Sequence, residues 1–226
     1  MRLSHTKRIT ILAMLSALAF LLAYIFYFLP IPAFVPSAPF LRYEPKDVVI
    51  VISGFLFGPL AVVPISLVVS LLEMPLSGTW VYGVIMNTSS SCVFSCTAAL
   101  VYMKWRTLTG AGVGLAIGVV LTSAVMMPLN YFVTPVFMGV TRETVVGLLF
   151  PILLFNLIKY ASIAAIALQL YKPLKLALTK SQLLQIPDDP SAKSSKVSII
   201  SLLVSAAVLV ACVLVILYLH GVIKIP

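Results

Sequence analysis

The chain has 226 residues, 62% of them apolar and 9% charged, with a mean hydropathy of +1.16. A soluble domain carries about 25% charged residues, so this composition excludes a soluble domain with a large core and indicates an integral membrane protein. The net charge of +9 does not point to nucleic acid, because the 15 basic residues are scattered over short segments between apolar runs, as topology and anionic headgroups require.

Residues 9–29, preceded by Arg2, Lys7 and Arg8, predict a first transmembrane helix. No small-x-small cleavage site follows, so the run is not read as a leader. Ala13 with Ala17, and Ala19 with Ala23, place small residues at the spacing that lets a second helix approach closely. Prolines at 30, 32, 36, 39 and 45 then exclude a regular helix, while the apolar residues among them favour an ordered, partly buried loop. Arg42, Glu44, Lys46 and Asp47 close it. Glu44 is a candidate ligand acceptor, with a surface ion pair as the alternative. Residues 48–72 resemble one span, but Gly54, Gly58, Pro59 and Pro64 interrupt it. Two short helices, about 46–57 and 59–72, fit better, joined by a sharp turn at Gly58 and Pro59 and followed by another turn containing Glu73 and residues 75–78.

Trp80 and Tyr82 open a span that runs to Tyr102 and closes on Lys104, Trp105 and Arg106. Its NTSSS stretch at 87–91 is polar enough to face a bundle interior, and that depth argues against glycosylation at Asn87. Gly110, Gly114 and Gly118 form two GxxxG steps in a span over 108–132, a signal of close helix contact. Asn130 and Tyr131 fall near its far end, before Pro135. Arg142 and Glu143 precede an apolar run at 145–170, which as a helix spans roughly 39 Å. Asn156 and Lys159 share one face of it, about a turn apart. An ammonium near mid-depth costs on the order of 2.5 kcal/mol or more, and normally faces a cavity or a protein interior with a partner. Residues 180–196 read as a polar linker and 197–219 as a last span.

Cys92, Cys96 and Cys212 lie in apolar spans with no neighbouring His or carboxylate, and His5 and His220 are terminal, so no metal or redox site is expected. A Walker glycine loop is absent, so uphill transport would need a partner or an ion gradient. A convincing inverted repeat, which would favour autonomous ion-coupled transport, is lacking. The basic clusters fall on one side only if 46–72 crosses twice. That topology puts the N-terminus in the cytoplasm and, after a seventh helix, the C-terminus outside. Glu44, Asn130, Asn156 and Lys159 then converge on an outward-facing cavity suited to a planar polar heterocycle, with Phe40, Tyr43, Trp80 and Tyr131 available as walls.

With these features assembled, the sequence resembles the riboflavin-specific S components of bacterial energy-coupling factor (ECF) vitamin transporters. The similarity rests on the basic N-terminus and alanine-containing first helix, LRYEPKDV at 41–48, GFLFGPLA at 54–61, the polar helix from Asn87, Asn130 with Tyr131 and Phe132, and FNLIK at 155–159. The set covers about residues 5–175. It implies an all-α bundle of six helices over 1–178 in the bacterial plasma membrane, binding riboflavin from outside as cargo and not as a cofactor. Glu44, Asn130, Asn156 and Lys159 match flavin-contacting positions, and Leu41 a loop position that helps enclose the ligand. Ala13 and Ala17 match the surface that docks on the membrane coupling subunit, the T component, which carries two ATPase subunits. No enzymatic chemistry is implied. The linker at 179–196 and the additional helix within 197–226 are extra to the family pattern. Another vitamin or flavin analogue as cargo, and a non-transporting scaffold in which Lys159 merely pairs with a carboxylate, stay open at this point.

Overall fold

The computed structural model describes residues 5–29, 41–180 and 195–219. These contain seven helices: α1 (His5–Phe28), α2 (Lys46–Phe57), α3 (Pro59–Ser77), α4 (Trp80–Lys104), α5 (Leu108–Met138), α6 (Arg142–Lys180) and α7 (Ser195–Leu219). Six are long and apolar enough to cross a bilayer, so the chain is an all-α, multi-pass membrane protein.

The exception is α2, whose 12 residues reach only about 18 Å. Every residue from Lys46 to Gly54 is buried, and α1, α3, α4 and α6 all pack against it. A rod too short to span can lie at membrane depth here because protein, not lipid, surrounds it. The break after it is where the sequence places it. Gly58 has φ 87° and ψ 171°, a conformation that favours glycine, and Pro59 opens α3 at a position where its missing N–H costs nothing.

Helix ends differ from the sequence reading in an informative way. Prolines were expected to end α3 near residue 72 and α5 near 132, yet α3 continues to Ser77 through Pro75, and α5 to Met138 through Pro128 and Pro135. A proline near a C-terminus removes one ladder bond, and both helices instead stop at glycines in the left-handed region, Gly78 and Gly139, each with φ 65°. Glu73 therefore belongs to a buried helix face and not to a surface turn, and Asn130 and Tyr131 lie inside α5. Helix α6 begins at Arg142 and takes up the start of the expected linker. Residues 181–194 of that linker, and Phe40 with the proline-rich stretch 30–39, lie outside the described residues.

Close packing accounts for the small residues. A Cβ on Gly114 would sit 2.7 Å from the Ala98 carbonyl oxygen of α4 and one on Gly118 3.0 Å from that of Phe94, so the Gly114–Gly118 step is an internal α4–α5 contact, while Gly110 abuts Trp105 in the turn before α5. On α1 the two alanine pairs part company: Ala19 and Ala23 are buried, whereas Ala13 and Ala17 are exposed. Helix α7 runs antiparallel along α6, with Gln169 donating to Ser205 (3.3 Å) and Cys212 Sγ 3.9 Å from the Ile158 carbonyl oxygen.

Candidate functional site

The site is built outward from the start of α2. Lys46 and Asp47 are both fully buried, and as adjacent helix residues they diverge toward different neighbours. Lys46 Nζ is 2.7 Å from Glu44 Oε2 and also donates to Glu73 Oε2 on α3. Asp47 accepts from Ser91 Oγ on α4, and its other oxygen is 3.4 Å from Lys159 Nζ on α6. Asn87 of α4 donates its amide to Glu73 Oε2 at 3.3 Å. Half of the chain's six acidic residues thus sit in one buried cluster with two lysines. Two ammoniums at membrane depth demand such partners. Burial opposes the charge on Glu44, but Lys46, with Lys159 and Arg42 behind it, overrides that and holds its carboxyl below the usual range. The Tyr43 hydroxyl, 3.1 Å from Ser162 Oγ, is raised by burial, which outweighs that hydrogen bond and the nearby Lys159.

Beside this cluster opens a cavity of about 240 Å³. Ligand pockets run from about 300 to 1,000 Å³, so the cavity is on the scale of one small organic molecule and not of a peptide. It lies where α1, α3 and α5 end and α4 begins, and is lined by Leu41, Arg42, Glu44, Glu73, Asn87, Asn130, Asn156 and Lys159, with Tyr27, Tyr82, Met86, Met126, Phe137 and Phe155 among its apolar and aromatic walls. Arg42 is held at the rim, its guanidinium 4.4 Å from the Tyr27 ring centroid.

The amides are part-committed. Asn130 Nδ2 donates to the Met126 carbonyl (2.7 Å) and its Oδ1 accepts from Thr134 (3.0 Å). Asn156 Nδ2 donates to the Ile152 carbonyl at 2.8 Å. An amide nitrogen carries two hydrogens, so each Asn keeps one donor for the cavity, and Asn156 keeps its carbonyl oxygen as well. With the Lys159 ammonium, this gives neighbouring donors and acceptors on one wall.

All five residues read from the sequence as ligand contacts, Leu41, Glu44, Asn130, Asn156 and Lys159, line this one cavity. Of the aromatic residues expected as walls, Phe40 lies outside the described residues, and Tyr43, Trp80 and Tyr131 are not among the lining residues. Trp80 is 68% exposed at the start of α4, with a φ of 49°, whereas Gly83, Asn87 and Ser90 of that helix line the cavity. Tyr131 stacks edge-on with Phe132, with Arg142 5.8 Å above its ring. Tyr43 packs on Phe26 at 6.2 Å between centroids, behind the cavity. The sequence reading had missed Asp47, Glu73 and Asn87. The signal for Asp47 was available: a mid-depth Lys159 requires a carboxylate, and few occur in the apolar part of the chain.

Residues 7–171 match the family described as ECF transporter, substrate-specific component. Among curated proteins, the chain is 31% identical over 181 residues to the riboflavin transporter RibU of Staphylococcus aureus (strain TCH60), covering 77% of this chain and 93% of that protein. A solved structure described as "Structure and mechanism of the S component of a bacterial ECF transporter" is similar at 32% identity with a TM-score of 0.68, covering 77% of this chain and 99% of that one. Helix α7 lies beyond the family match. Such S components are non-enzymatic substrate-binding subunits that generally work with a T component and ATPase subunits. By its match over most of its length, the chain belongs to the family of substrate-specific components of ECF transporters.

Proposed function

We propose that this chain captures riboflavin at the outer face of the membrane and hands it inward when docked on an ATP-driven coupling module. The observation that carries the reading is the convergence of Asn130, Asn156 and Lys159 on one cavity with aromatic and methionine walls. A planar ring with alternating donors and acceptors along one edge can use the free amide groups and the ammonium, while its faces rest on apolar side chains. The similarity to a protein named riboflavin transporter supports the same cargo.

Orientation follows from the positive-inside rule. Arg8 donates to the Phe57 carbonyl at the end of α2 opposite the cavity, and Lys104 closes α4 at the end remote from the α4 cavity residues. Basic residues at that end favour a cytoplasmic placement, with the cavity facing out. Docking on the T component uses the exposed Ala13 and Ala17 face of α1, whose small side chains let a partner helix come close.

The test is a titration of the purified chain with riboflavin, followed by flavin fluorescence. Saturable one-to-one quenching is expected, with thiamine and biotin failing to compete. Folded protein that leaves flavin fluorescence unchanged would overturn the reading.

A further inference from the structure

A second cavity, of about 610 Å³, shares no residue with the first and lies between α5, α6 and α7. Helix α7 packs on α6 and closes on it where Cys212 Sγ meets the Ile158 carbonyl. Between that contact and the start of α5, the helices α5 and α7 leave a groove with α6 as its floor. Small side chains make the room: Ala116 on α5 and Ala161, Ala164 and Ala165 on α6 line it. Gly112 belongs to the same set and differs from the close-packed Gly114 and Gly118. A Cβ on Gly112 would come no nearer than 3.9 Å to its closest neighbour, Leu168, so its smallness leaves space instead of seating a helix. The lining is apolar apart from Thr109, Ser201 and Ser205, and Ser205 is engaged with Leu202 and Gln169.

The dimensions match one half of a bilayer. Along α5 the groove runs from Leu108 to Val119, about 16 Å of helix, and half of a ~30 Å hydrocarbon core is about 15 Å. An unfilled groove at membrane depth forfeits dispersion contacts along its whole lining, and a lipid chain is the neighbour able to restore them. Its mouth is basic. Leu108 and Thr109 follow Lys104, Trp105 and Arg106, all three exposed, and an indole at that position suits the headgroup layer. The sequence between Leu168 and Ile200 adds Lys172, Lys175, Lys180, Lys193 and Lys196 against Asp188 and Asp189.

We propose that this groove binds one anionic phospholipid from the leaflet at the basic end, with an acyl chain between α5 and α7 and the phosphate on Arg106 and Lys104. Shape admits the chain, and charge selects the headgroup. Under the orientation argued above, that leaflet is the cytoplasmic one. Ile200, Val204 and Val208 supply one wall from α7, beyond the family match, so the site belongs to the part of this chain that departs from the family pattern. It is independent of the cargo.

The test is native mass spectrometry of the full chain from detergent micelles, titrated with phosphatidylglycerol or with phosphatidylcholine. One saturating phosphatidylglycerol adduct is expected, with phosphatidylcholine weaker by roughly tenfold or more, as two basic residues at a headgroup provide. Gly112→Leu with Ala116→Leu fills the groove and should abolish the adduct. Lys104→Gln with Arg106→Gln alters only exposed side chains and should bring phosphatidylglycerol down to the phosphatidylcholine level. Melting curves show which variants are folded, and the exposed pair decides the matter if the filled groove does not fold. Riboflavin titration should be unchanged in both, which separates failure here from failure of the flavin reading. No saturable adduct in the parent, equal binding of the two lipids, or an unchanged phosphatidylglycerol adduct in the folded variants would overturn the proposal. A doubled chain mass that the filled groove abolishes would seat a second copy there and overturn it as well.

Discussion

Lys159 has two roles, and they can be separated. It lines the cavity, and it is the partner of the fully buried Asp47. Removing one member of a buried pair costs about 3–5 kcal/mol because the other is left uncompensated. Lys159→Met should therefore lower thermal stability as well as flavin affinity, whereas Lys159→Met with Asp47→Asn should recover most of the stability and none of the affinity. Parallel melting curves and titrations check this. Asn156→Ala removes a ligand contact without exposing a charge. It should weaken riboflavin binding by about 1–3 kcal/mol, roughly five- to 150-fold, with little change in melting temperature. Glu44 gives a pH signature. Its folded-state pKa lies below the ordinary 4.5, so its ionised form stabilises the fold above that pH, and the contribution is lost as pH falls through the lowered value. Glu44→Gln should be less stable than the parent at neutral pH, with the gap closing below about pH 4, read from unfolding at a series of pH values.

At the scale of elements, the turn between α2 and α3 and the α4–α5 contact carry the geometry. Gly58→Ala forces an L residue into φ 87° and should cost on the order of 1–3 kcal/mol, displacing α2 and with it Lys46 and Asp47. Melting temperature and flavin affinity should fall together. The α1 face behaves differently. Ala13 and Ala17 are exposed, and their neighbours Met14 and Leu18 are 67% and 47% exposed, so this face is uncovered among the described residues. Ala17→Trp should leave riboflavin titration unchanged while abolishing co-purification with a T component and uptake in cells. Sequence spacing revealed both alanine pairs, but not that one would be spent inside the bundle. Which face of α1 meets α2 and α3 depends on where those helices lie.

For the whole molecule, α7 is the departure from the family pattern. It packs along α6 through Ser205 and Cys212, against a crevice lined by Ala161, Ala164 and Leu168, whereas Asn156 and Lys159 face the cavity. A chain ending after Lys180 should accordingly bind riboflavin within about twofold of the full chain, since among the described residues no cavity residue lies beyond Lys159.

Composition alone decided the solvent, because too few charges are present to coat a soluble surface. The apolar runs and the Gly58–Pro59 break decided the number of helices among the described residues, because backbone groups in lipid must be satisfied within each segment. The requirement that a mid-depth ammonium have company singled out Lys159 and its neighbour Asn156. What local sequence could not supply was the partner. Asp47 reads only as one of the charges closing the first loop and Glu73 as part of a turn, and the terminal prolines place the ends of α3 and α5 too early. Only the tertiary structure buried α2 among four helices, carried α3 through Pro75 and set Asn87 against Glu73. Those contacts join residues far apart in the chain, and their energies depend on which helices become neighbours.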